Sequence, residues 1–135
     1  MRRFNQGFTL IEIMIVIAII GILVTIGYPG ITEYVKKAHR TEIAGLLSEQ
    51  AQNLERFYSK NGVYTNASPP VISEGNDNYT ITPTLAAQTF SLTAARKSGS
   101  MMASDKCGDF IITNTGLRTI ADAADGLEAK DCWGR

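Results

Sequence analysis

The chain has 135 residues, with 13 basic and 13 acidic side chains, one histidine and two cysteines. That length holds one small domain, and a net charge of zero excludes a bulk electrostatic pull toward nucleic acid. Cys107 and Cys132 form no C-x-x-C motif. They read as a disulfide if the domain is exported and as ordinary thiols if it is cytosolic.

The chain opens on a polar leader, residues 1–7, MRRFNQG. Residues 8–28, FTLIEIMIVIAIIGILVTIGY, follow as a run of 21 residues with a single charge, Glu12. As a helix rising about 1.5 Å per residue the run spans about 31 Å, close to the ~30 Å of bilayer hydrocarbon. Arg2 and Arg3 precede it, so the leader is expected to stay in the cytoplasm while the rest is translocated. That places Cys107 and Cys132 in an oxidising compartment, where a disulfide is the expected state. A removable secretory signal fits less well, because the run passes into YPGITEYVKKAHR with no A-x-A-like site.

A carboxylate in such a segment costs about 2.5–3.5 kcal/mol at the bilayer centre and less near an interface. Snorkelling toward the cytoplasmic side is the plain account of Glu12. A sharper one begins at Gly7. Cutting the chain after Gly7 gives Phe8 a free α-amine, positive at neutral pH. In a neighbouring subunit shifted along the helix axis, that amine would neutralise Glu12 while the apolar side chains pack together. Acid and amine would then lock the register of an assembly.

The stretch GFTLIEIMIVIAIIGILVTIGYPGITEY strongly resembles the N-terminus of type IV pilins and their pseudopilin relatives. The resemblance implies that a prepilin peptidase cleaves after Gly7 and N-methylates Phe8. It implies too that Glu12 serves processing and subunit docking. Residues 1–7 would be the leader, 8–30 a transmembrane and assembly helix, and 31–135 a periplasmic head.

Pro29 removes a helix donor and disfavours helical geometry at Tyr28, and Gly21, Gly27 and Gly30 each cost about 1 kcal/mol relative to alanine in a helix interior. Helical periodicity nevertheless resumes at once and runs to about residue 59, so Gly27, Pro29 and Gly30 mark an expected kink rather than a stop. In filaments of the resembled family the region corresponding to Gly21–Pro29 is partly unwound. Two apolar stripes follow, Ile31, Tyr34, Val35 and Ala38, then Ile43, Leu47, Ala51, Leu54 and Tyr58. At about 100° per residue they point to opposite sides of one helix. The later stripe is expected to pack on the chain's own sheet and the earlier one to face neighbouring subunits. Lys36, Lys37, His39 and Arg40 read as a solvated or membrane-proximal charged face.

Residues 60–78, KNGVYTNASPPVISEGNDN, read as a surface loop. Alternating short runs come next, at Tyr79–Thr82, at Phe90, Leu92 and Ala94, and at Phe110 and Ile112. Asn114-Thr115-Gly116 signals a turn into a further short strand over 117–120. The expected fold class is α+β. A long N-terminal α-helix, a hydrophobic stalk kinked near Pro29, packs on a small antiparallel sheet that carries a C-terminal disulfide-bounded loop. A Cys107–Cys132 bridge would contribute about 3–4 kcal/mol on the chain-entropy account and restrain the irregular ADAADGLEAKD segment. The pilin resemblance agrees with such a region. FYSKNGVYT and the closing Cys132-Trp133 look most like PilE-type minor pilins.

No catalytic constellation emerges and no cofactor is implied. Asp122, Asp125, Glu128 and Asp131 are oxygen ligands of the kind calcium takes, but their spacing matches no EF-hand, so no metal is expected. The resemblance implies a structural subunit, of the minor kind, of a type IV pilus serving adhesion, twitching motility or DNA uptake. Its implied partners are other pilin subunits, the inner-membrane assembly machinery, prepilin peptidase and the inner membrane, with nucleic acid met only through the whole pilus. The implied location is the bacterial inner membrane with the head in the periplasm, and the extracellular pilus after assembly. Two alternatives stand beside it, a pseudopilin of a type II secretion system and a membrane-anchored periplasmic binding module.

Overall fold

The computed structural model describes residues 7–67 and 71–134; residues 1–6 of the expected leader, residues 68–70 of the expected loop and Arg135 lie outside the described residues. One long helix, α1, runs from Leu10 to Asn61. Thr9 sets its start. The Thr9 hydroxyl accepts the Glu12 N–H at 3.3 Å, and the Glu12 carboxylate accepts the Thr9 N–H at 3.4 Å. This T-x-x-E exchange satisfies donors that a helix N-terminus otherwise leaves unpaired.

α1 continues through Pro29, so the proline does not stop it. Around it, two threonines turn back on the helix. The Thr25 hydroxyl donates to the Gly21 and Ile22 carbonyls, both at 2.9 Å, and the Thr32 hydroxyl to the Pro29 carbonyl at 3.0 Å. Such bonds compete with the helical ladder where proline has already removed a donor.

The chain divides into two compact units between Val35 and Lys36. In the first, every large apolar side chain, Phe8 to Ile26, is exposed. The second has a true core. On α1, Ile43, Leu47 and Leu54 are fully buried, and Ala51 and Tyr58 pack against the same cluster half-buried. This is the later stripe, and it does face the chain's own sheet residues in that cluster.

The sheet is a four-stranded antiparallel meander in the order β1-β2-β3-β4. The strands are β1, Tyr79–Leu85, β2, Phe90–Arg96, β3, Asp109–Thr113, and β4, Arg118–Ala121. Tyr79 and Ile81, then Phe90, Leu92 and Ala94, then Phe110 and Ile112 are buried, which is the period-two face the sequence predicts. β1 extends past Thr82 and includes Pro83, an allowed position because β1 is an edge strand. A short helix α2, Ala129–Trp133, closes the chain.

Candidate functional site

In the first unit the candidate residues are placed as follows. Gly7 and Phe8 are exposed ahead of α1, with Phe8 81% accessible. Glu12 lies in the first helical turn, paired back to Thr9. The partial positive charge of a helix N-terminus favours an anion there, so the carboxylate has a local role that periodicity reading overlooked. The signal was present as Thr9-Leu10-Ile11-Glu12. Gly27, Pro29 and Gly30 all lie inside α1, and a Cβ built on Gly27 or Gly30 would meet nothing within 4 Å. Of the early stripe, Ile31 and Tyr34 are exposed and Val35 is half-buried, and Ala38, already in the second unit, is exposed.

In the second unit Cys107 and Cys132 are joined, with Cα atoms 5.7 Å apart. The bridge ties the start of the β3 region to α2. α2 in turn is held by Trp133, whose indole N–H donates to the Thr119 carbonyl at 2.9 Å. The Trp133 ring meets Phe110 edge-on with centroids 5.3 Å apart, and the Arg118 guanidinium lies 5.4 Å over its face. α2 is a correction to the irregular reading of this segment. Asp131 does not present its carboxylate for a metal but accepts the Glu128 N–H at 2.9 Å. Among the described residues no group of three or more His, Cys, Asp or Glu is arranged to hold a metal ion.

Arg40 is the main correction. Read as part of a solvated face, it is buried, and its Nε donates to Asp105 Oδ2 at 2.9 Å while Nη2 reaches Oδ1. Asp105 is 2% accessible. Burial alone would raise its carboxyl, but the hydrogen bonds and charge of Arg40 outweigh that and hold it below the usual carboxylate range. Arg96 extends the network, donating through Nε to Asp109 at 3.0 Å and through Nη1 to the Asp105 carbonyl at 3.1 Å. The Tyr79 hydroxyl is buried with no hydrogen-bond partner among the described residues; burial, then the charge of Asp105, pushes its ionisation upward.

An open groove of about 430 Å³ lies on the same unit, lined by Asn53, Arg56, Phe57, Lys60 and Val71.

Comparison with known proteins gives a consistent family. Residues 2–28 match the family described as the prokaryotic N-terminal methylation motif. Residues 29–111 match the family described as the type IV minor pilin ComP, DNA uptake sequence receptor. The type IV major pilin protein PilE1 of Neisseria gonorrhoeae is 32% identical over 151 aligned positions, which cover 95% of this chain and 90% of that protein. A solved type IV pilin from Shewanella oneidensis is 28% identical, with a TM-score of 0.55 over 74% of this chain and 99% of that one. The non-core minor pilin PilV of Neisseria meningitidis, at 15% identity, shares the fold, with a TM-score of 0.59 over 71% of this chain and 94% of that one.

Proposed function

The chain belongs to the type IV pilin family, and from that premise we propose that it is a minor subunit of a pilus that takes up DNA. The assembly half of the reading is carried by one observation. Every large apolar side chain from Phe8 to Ile26 is exposed, and Glu12 is the only charged residue among them. An apolar surface of that extent needs lipid or other subunits to cover it. The match of residues 29–111 to a minor pilin described as a DNA uptake sequence receptor supports the rest. The role is structural, with no catalytic step.

On this reading prepilin peptidase cuts between Gly7 and Phe8 and methylates Phe8. The subunit waits in the inner membrane on one span, with its head in the periplasm. Residues 8–30 then leave the bilayer for the filament through the assembly machinery, and Gly27, Pro29 and Gly30 supply the point at which the helix bends or unwinds. Glu12 first caps its own helix and then meets the Phe8 amine of a neighbouring subunit.

Two substitutions separate capping from docking. Glu12→Ala removes the charge and the side-chain acceptor of the Thr9 N–H, whereas Glu12→Gln keeps an acceptor for the capping exchange and loses the charge. Both variants are expected to insert in the membrane and to be missing from sheared filaments. Normal incorporation of the glutamine variant would reject the charge lock. Mass spectrometry of the mature chain is expected to find Phe8 at its N-terminus. Deletion of the protein, scored for piliation, exoprotein secretion and DNA uptake, tests the whole reading. Lost secretion with intact piliation and DNA uptake would favour a pseudopilin.

A further inference from the structure

Asn53, Arg56, Phe57 and Lys60 recur at steps of three and four along α1 and so share one side of the helix. With Val71 opposite, they line the open groove described above. Its makeup differs from both the core and the apolar assembly face. Two exposed cations and an amide stand over a floor made by half-buried Phe57 and Val71. Among the described residues no carboxylate lines it. The nearby acid Glu55 is engaged elsewhere, accepting the Tyr64 hydroxyl at 3.0 Å. Arg56 Nη2 donates to Asn53 Oδ1, which orients the guanidinium and leaves its other N–H groups for a ligand. Neither Arg56 nor Lys60 forms a salt bridge among the described residues.

We propose that this groove binds the phosphate backbone of DNA, with Arg56 and Lys60 on neighbouring phosphates and the Phe57–Val71 floor against the sugar edge. The proposal rests on the DNA-uptake reading above. Positions four apart on a helix face place their Cβ atoms about 5–6 Å apart, within reach of adjacent phosphates on one strand. Arginine suits planar, bidentate phosphate contact, and lysine adds a mobile point charge. Asparagine is a further phosphate donor of the usual kind. Because the whole chain is neutral, attraction to DNA has to come from a local pair of this sort rather than from net charge. Phosphate contacts position a duplex without reading its sequence. The groove therefore strengthens binding to any sequence, and base recognition falls to other residues.

The test uses the full chain in detergent micelles and a short fluorescent duplex, titrated by anisotropy over a range of salt, with a scrambled duplex alongside. Arg56→Gln and Lys60→Gln are each expected to weaken binding about 3- to 10-fold, equally for both duplexes. Each should flatten the log–log salt dependence by about one unit. Lys130→Gln, an exposed cation on α2, is expected to leave binding unchanged. Wild-type binding that neither groove variant weakens would overturn the groove and leave the DNA reading standing. No binding by the wild-type chain would remove both. An equal loss from Lys130→Gln would mean diffuse charge and overturn the groove. So would loss of filaments with unchanged DNA affinity, since the face would then pack against a neighbouring subunit.

Discussion

At the residue scale, Gly108 shows how tightly the C-terminal region is threaded. Its φ is +67°, and a Cβ there would sit 2.0 Å from the Ala121 carbonyl oxygen and 2.7 Å from the Asp122 carbonyl carbon. Glycine is required twice over, by the left-handed backbone and by the backbone crossing over it. The crossing is fixed alongside by the Ala124 N–H, which donates to the Lys106 carbonyl at 2.8 Å. Gly108→Ala is expected to lower stability by about 1–3 kcal/mol from backbone strain, with more from the displaced crossing. Chemical denaturation of the full chain in detergent, set against Gly116→Ala, measures it. Gly116 has a similar φ of +79° and open space around it, so the difference between the two variants isolates the crossing.

Elements differ in how far the sequence announces them. The later stripe of α1 and the alternating strands were legible because a buried face repeats every 3.6 or 2 residues whatever it packs on. The charged cluster was not. Arg40 meets Asp105 across 65 positions of chain, a pairing that no local period encodes, and beside Lys36, Lys37 and His39 it reads as a solvated side chain. α2 was missed for a related reason. Its five residues are too few for a helix to form alone; the disulfide and the Trp133 contacts hold it from outside. The Thr9–Glu12 capping exchange was legible but hidden by the stronger membrane signal. Removing the bridge by Cys107→Ser with Cys132→Ser is expected to cost about 3–4 kcal/mol. Trp133 is the only tryptophan and is 7% accessible, so its emission should move to the red as α2 detaches. Circular dichroism should still report strand structure at that point, because no strand contains either cysteine.

For the molecule as a whole, the Arg40–Asp105 pair joins the long helix to the loop before β3, and its strength depends on pH. In the folded chain Asp105 titrates below its ordinary value of 3.8, so the unfolded chain holds that proton more tightly. Its contribution is then complete above the ordinary value and is lost as pH falls through the lower folded value. Stability is expected to be insensitive to this pair at neutral pH and to fall once the medium drops below about pH 4. Asp105→Asn should remove this part of the acid response. At neutral pH it should also lose about 3–5 kcal/mol, because the buried Arg40 guanidinium loses the Asp105 carboxylate charge that faces it. Replacing both partners, by Arg40→Met with Asp105→Leu, should recover part of that loss, since apolar residues can replace a buried ion pair at little net cost, while the buried Cys107 N–H loses the Asp105 Oδ2 acceptor it meets at 3.3 Å. Unfolding of the three chains from neutral pH to pH 3 distinguishes the cases. An acid response as steep in Asp105→Asn as in the parent chain would assign it to other carboxylates and leave Arg40–Asp105 a packing contact.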